Sequence, residues 1–252
     1  MHLILTGATG LVGSGVLDAM LGMREITRIS ILSRRPVPMA QDASDPRVNV
    51  IIHKDFAKYD ADVLSQLAGA TGCVWALGIS QTKVDAEEYT TITKTYALHA
   101  AEAFRSLPPP DQPFRFVYVS GGGATTQPGR FSAVFARVKG EAELGLAELR
   151  RKYPMLQTSS VRPAFVDEAN HPAIAKYMAP RPAYERLFRV TAPAIRALAP
   201  GLWSPTEELG SFLTGMAMGR YDGVGAGKDV QMLGAMPVLE NSAFRRLMGL
   251  SG

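Results

Sequence analysis

The feature that most constrains this chain is a glycine turn set between an apolar run and an amphipathic segment. Leu3-Ile4-Leu5 leads into Thr6-Gly7-Ala8-Thr9-Gly10-Leu11-Val12-Gly13, and apolar residues then recur at helical spacing as far as Leu21. The run reads as a buried strand and the periodic segment as a helix. A phosphate-binding turn needs one glycine for a sharp reversal, one for close backbone approach to the anion, and one for packing helix on strand. Gly7, Gly10 and Gly13 stand at those positions. Thr6, Thr9, Leu11 and Val12 complete a loop whose backbone N–H groups and helix dipole would face a diphosphate.

The alternation continues. Further strands are expected at Ile29–Leu32, Val48–Ile52, Cys73–Leu77, Phe116–Val119 and Thr158–Val161. A long helix over Glu87–Arg105 ends at Pro108-Pro109-Pro110, and another over Phe131–Lys152 stops before Pro154. Strands alternating with helices predict an α/β fold with a doubly wound parallel sheet of Rossmann type and right-handed crossovers. After Pro163 the chain changes character. Prolines at 172, 180, 182, 193, 200 and 205 interrupt it, and 170–205 shows no convincing strand. Short helices fit better, over Tyr184–Val190, Ala194–Leu198 and Glu207–Met218. The expectation is a dinucleotide-binding domain over 1–165. Residues 166–252 would form a small, mostly helical cap integrated with it, over the sheet edge where open α/β sheets bind ligands.

Composition excludes more than it selects. One cysteine, Cys73, rules out an internal disulfide framework, and four scattered histidines show no metal-ligand spacing, so no metal is expected. No apolar run reaches the roughly 18–20 residues that span a bilayer, so no transmembrane segment is expected. Met1-His2 passes directly into the first apolar run without a basic leader or cleavage site, which fits a soluble, cytoplasmic protein. The net charge of +4 suits nucleic acid, a membrane surface or a phosphorylated ligand. No nucleic-acid module is visible. Arg186, Arg189 and Arg196 read better as a solvated helix face than as a membrane face.

The second strand ends in Ser33-Arg34-Arg35-Pro36. A site for NAD places an acid there to hold the ribose diol. Two guanidiniums suit a 2′-phosphate, which arginine binds through charge-assisted, often bidentate bonds. The cofactor expected is therefore NADP(H). Asp55-Phe56, after the third strand, reads equally as an adenine border or as an ordinary loop.

These segments together resemble the short-chain dehydrogenase/reductase family. The resemblance rests on the glycine turn, Ala76-Leu77-Gly78 after the fourth strand, Val119-Ser120 after the fifth, Lys139-Gly140-Glu141 and Arg162-Pro163. Val138-Lys139-Gly140-Glu141-Ala142-Glu143 is similar to the atypical NmrA-like and Tat-interacting-protein-like branch. The likeness is good over about 1–165 and weak beyond. It implies that Ala76, Leu77, Gly78, Val119, Lys139, Arg162 and Pro163 border the cofactor. It also implies a Tyr-x-x-x-Lys pair, in which the lysine holds the nicotinamide ribose and the phenol moves a proton. Here the segment is Phe135-Ala136-Arg137-Val138-Lys139, so the lysine is present and the phenol is not. The usual hydroxyl position falls on Gly122 or Gly123, with Ser120 and Thr125 as substitutes.

The catalytic candidates are accordingly Lys139 and Ser120. Tyr118, Tyr89 and Tyr96 read better as core or dimer residues than as proton donors. Tyr177 and Tyr184 lie in the cap. The leading expectation is an NADPH-dependent atypical reductase acting on a small organic carbonyl or enone. The alternatives are a non-catalytic NADP(H)-binding sensor or partner-binding protein, and a non-redox isomerase or cyclase. The two long helices are candidates for pairing into a homodimer.

Overall fold

The computed structural model describes residues 1–178 and 199–250. The chain runs β1 (His2–Thr6), α1 (Leu11–Gly22), β2 (Arg28–Ser33), α2 (Pro38–Ala43), β3 (Val48–Ile52), α3 (Ala61–Leu67) and β4 (Gly72–Trp75). A long helix follows in three pieces: α4 (Ala86–Thr90), a π-helical turn (Thr91–Thr95) and α5 (Tyr96–Phe104). Then come β5 (Phe114–Val119), α6 (Val134–Lys152), β6 (Leu156–Arg162), β7 (Phe165–Asp167) and α7 (Pro172–Ala175). The described chain closes with β8 (Trp203–Pro205), α8 (Thr206–Ala217), β9 (Val230–Leu233), β10 (Met236–Glu240) and α9 (Asn241–Leu247).

Eight strands form one sheet in the order β3-β2-β1-β4-β5-β6-β10-β9, parallel except for β9 at the edge. β1 is buried at all five positions, which is why it reads as an unbroken apolar run rather than an alternating one. Each face of the sheet carries its own core. On one face Val16, Leu17 and Met20 of α1 and Leu209, Phe212 and Leu213 of α8 pack over Leu3, Leu5 and Val117. On the other, Ala97, Ala101 and Phe104 of α5 and Ala142 and Leu146 of α6 cover Ile4, Cys73, Trp75 and Phe116. Full burial of each such large side chain contributes about 1.5–3 kcal/mol. Local signals fix the helix starts: Asp60 caps α3 by accepting from Val63 N–H, and Asp85 caps α4 by accepting from Glu88 N–H. Arg150, Arg151 and Lys152 in the last turn of α6 complement its dipole.

The region beyond Pro163 differs from its sequence reading. β7 and β8 form a two-stranded parallel sheet, so strand structure does occur within 170–205. β10 and β9 extend the main sheet beyond β6. α8 lies along α1, where backbone meets backbone: a Cβ on Gly15 would sit 2.6 Å from the Thr206 carbonyl oxygen, and one on Gly210 2.2 Å from that of Gly15. The helix expected over Glu207–Met218 is thus present as α8, built into the body of the fold. The helices expected over Tyr184–Val190 and Ala194–Leu198, with Arg186, Arg189 and Arg196, lie outside the described residues. Among the described residues, no helix is long and apolar enough to cross a membrane.

A buried ion network joins α6 to the sheet. Glu143, fully buried, accepts from Ser160 Oγ and from Arg162 Nε and Nη2, while Arg162 Nη1 reaches Glu240 on β10 at 2.7 Å. Removing one partner of a buried pair leaves the other charge uncompensated. Glu143→Ala should therefore lower unfolding free energy by about 3 kcal/mol in urea titrations, Arg162 keeping only Glu240.

Candidate functional site

Strand order reverses between β1 and β4, and the crevice outside their carboxyl ends is where open α/β sheets bind ligands. Gly7 turns the chain there with φ +71°, in the left-handed region that glycine enters freely. A Cβ on Gly7 would lie 2.2 Å from the Ala76 carbonyl oxygen, and one on Gly13 2.0 Å from that of Gly7. The turn is therefore pressed against the end of β4 on one side and α1 on the other. Thr6 Oγ1 accepts from Leu77 N–H at 3.3 Å and ties the two strand ends together. α1 starts at Leu11, after Gly10 with no side-chain cap, and has no acid in its first turn, so its first N–H groups and positive dipole end are open to an anion.

A cleft of about 490 Å³ lies beside the turn, lined by Gly7, Thr9, Leu32, Ser33, Arg34, Arg35, Phe56 and Leu77. The fold thus brings Arg34 and Arg35 into one cavity with the glycine turn. Ser33 Oγ donates to the Arg35 carbonyl at 2.7 Å and holds that corner in shape. An adjoining pocket of about 80 Å³ shares Arg34, Phe56 and Leu77 and adds Lys54, Gly78, Glu88 and Tyr96. Tyr96 lines this pocket and packs against the core of that face of the sheet. Asp55 lies outside both linings and accepts from Ala57 N–H within its own turn. Lys54, a third cation beside Arg34, was missed in the sequence, although it immediately precedes Asp55-Phe56.

The rim at the ends of β5 and β6 holds the remaining candidates. Lys139 Nζ donates to the Ser120 carbonyl at 2.5 Å and lies 3.5 Å from that of Val119. Burial lowers its pKa to about 8, partly opposed by the Glu143 carboxylate. Ser120 is buried, and its hydroxyl has no partner among the described residues. Tyr118 is committed elsewhere: its hydroxyl donates to the Thr93 carbonyl in the π-helical turn, and burial pushes its pKa well up. The Phe135 ring lies over Gly123, whose φ of +84° lies in the left-handed region that favours glycine. Gln81, another residue the sequence did not flag, accepts from Phe135 N–H near the start of α6. Gly122 N–H donates to the Pro163 carbonyl at 2.7 Å and joins the β5 loop to the end of β6. Arg162 is held by Glu143 and Glu240, so its guanidinium faces the α6 side of the sheet rather than the cleft.

A glycine turn at the switch point of a mostly parallel sheet defines a Rossmann-type protein. No family model matches the chain. It is 43% identical over 160 residues to Botcinic acid biosynthesis cluster B protein 16 of Botryotinia fuckeliana, covering 62% of this chain and 99% of that protein. It is 34% identical over 257 aligned positions to Leucinostatins biosynthesis cluster protein T of Purpureocillium lilacinum, covering 94% of this chain and 90% of that one. Among solved structures, BdcA in complex with NADPH superposes with a TM-score of 0.63 at 15% identity, over 96% of this chain and 93% of that one. The YIR035C short-chain dehydrogenase/reductase of Saccharomyces cerevisiae gives 0.63 at 13% identity, over 95% of each chain. The chain belongs to the same family as Leucinostatins biosynthesis cluster protein T, and its fold is that of the short-chain dehydrogenase/reductases.

The tight contacts of the turn make a direct test. Gly13→Ala should cost roughly 1–3 kcal/mol of stability, because its methyl must displace the Gly7 carbonyl. Gly22→Ala, in the same helix with open space around its Cβ, should be neutral or slightly stabilising in the same urea titration.

Proposed function

We propose that this protein binds NADP(H) in the cleft beside the glycine turn and reduces a small organic carbonyl or enone. The observation that carries the reading is the presence of Arg34 and Arg35 in one cavity with Gly7 and Thr9. A dinucleotide whose diphosphate sits on the first turn of α1 would present its adenosine ribose to the end of β2. That end carries two guanidiniums and no carboxylate, which favours a 2′-phosphate over a free diol. BdcA, a structural neighbour, is described in complex with NADPH. The names of the two relatives place them in biosynthesis clusters, which supports a small-molecule substrate.

The bound dinucleotide would supply a hydride. The protein's part is binding, orientation and the proton. The N–H groups of Leu11 and Val12 hold the diphosphate, Phe56 and Leu77 wall the cleft, and Arg34 and Arg35 hold the 2′-phosphate. Reduction of a carbonyl delivers hydride to carbon and a proton to oxygen. With Phe135 in place of the phenol and Tyr118 bonded to Thr93, Lys139 is the rim group whose pKa lies near neutrality. Its ammonium, directly or through a water at Ser120 Oγ, is the proton source in this reading. The absence of a phenol favours one second reading: an NADP(H)-binding protein that responds to cofactor without turnover.

Three measurements follow. Arg34→Ala/Arg35→Ala should weaken NADPH binding by roughly 10- to 100-fold in fluorescence titrations and leave NADH nearly unchanged. Equal losses for both cofactors would contradict the 2′-phosphate assignment. NADPH oxidation with carbonyls and enones should fall as pH rises through about 8, because the acid must be protonated to donate. Lys139→Met should remove that limb, whereas background oxidation in the wild type despite tight NADPH binding would favour the sensor. Phe135→Tyr should raise carbonyl reduction, by up to about 10²–10⁴-fold where the phenol reaches the substrate.

A further inference from the structure

The sheet carries a second cavity at its opposite end. About 160 Å³ in size, it lies beside the first residues of β5 and β6 and the start of β10, under α8 and the loop that follows. Register explains why it exists. β10 pairs with β6 only from Val238 opposite Ser160 onward. One step earlier stands Pro237, which has no N–H to continue the ladder. The strands part there, and Arg150 from the end of α6 reaches into the gap, where its Nη1 donates to the Thr158 carbonyl at 2.6 Å.

The polar lining is unevenly satisfied. Arg115 is bonded through Nε and Nη2 to Asp222. Arg150 has no carboxylate in contact among the described residues. Its Nε and Nη2 make no hydrogen bond there, and burial lowers its pKa, with Asp222 opposing from a distance. Gln157 and Ser159, on the same face of β6, also line the cavity, and their side chains make no hydrogen bond among the described residues. A half-buried guanidinium beside an amide and a hydroxyl is a donor set for an anion. The opposite walls, Met216, Val224 and Met232, are apolar. Counting Arg115, Arg150 and Asp222, the lining carries one net positive charge, which one negative charge neutralises. A cavity of this size accommodates a molecule about as large as benzene.

We propose that this cavity is a binding site for a small organic monocarboxylate, with its carboxylate on Arg150, Gln157 and Ser159 and a short apolar tail against Met216, Val224 and Met232. The site stands apart from the cofactor cleft and does not depend on the reductase reading.

The test is titration of the ¹⁵N-labelled full chain with pentanoate, followed through backbone amide shifts, with 1-pentanol and inorganic phosphate as comparison probes. Saturable shifts centred on Gln157, Ser159 and Val224 are expected, unaffected by NADPH. Pentanol and phosphate should each bind about tenfold or more weakly, and Arg150→Met should lose pentanoate by a similar factor. Val224→Trp, which fills the cavity from the loop, should abolish pentanoate binding with the rest of the spectrum intact. It serves as the deciding variant if Arg150→Met does not fold. Absence of saturable shifts would overturn the proposal. So would equal binding of pentanol, tighter binding of phosphate, displacement by NADPH, or undiminished binding in the folded variants.

Discussion

Much of this structure depends on backbone meeting backbone without side chains between. Gly7 rests on the end of β4, Gly13 on Gly7, Gly15 on Thr206 and Gly210 on Gly15. These contacts set α1 at one distance from the sheet and α8 at one distance from α1. The apolar face of α8 then covers β4 and β5, and the first turn of α1 is left pointing at the cleft. A methyl group at Gly13 or Gly210 would push the layers apart, because the opposing atom is a carbonyl that cannot rotate away. The open first turn of α1 and the close packing of this half of the molecule are therefore one property.

β1 and β4 were legible because burial on both faces leaves continuous apolar runs, Leu3-Ile4-Leu5 and Cys73-Val74-Trp75. The glycine turn was legible because each glycine answers a local geometric need. The C-terminal strands were not. β9 contains exposed Gln231, β10 contains Pro237, and β10 gains its pairing from β6, with Val238 opposite the distant Ser160, while β9 pairs with β10 alone. β7 and β8 are three residues each and pair with one another, with Asn241 and Arg245 of α9 bonding to β8. No local propensity identifies such segments, since tertiary pairing decides them.

The candidate site divides in the same way. Arg34, Arg35, Phe56 and Leu77 converge on one cleft as their positions at strand ends suggested. Asp55 turns back on its own loop, and Arg162 is drawn away by Glu143. Glu143 also stands four residues after Lys139, one turn further along the same helix face. Its consequence is electrostatic. Glu143 neutralises Arg162, and it also opposes the fall in Lys139 pKa that burial produces. The missing phenol at 135 thus leaves a rim in which one buried lysine, held by two strand-end carbonyls, has the only ionisation shown near neutrality among the described residues there.

The most direct measurement of the central claim is a crystal structure of the protein with NADP⁺. The account predicts the diphosphate on the N–H groups of Leu11 and Val12, the 2′-phosphate in contact with both Arg34 and Arg35, and Lys139 beside the nicotinamide ribose. A dinucleotide bound elsewhere, or one whose 2′-phosphate points to solvent away from both arginines, would contradict it.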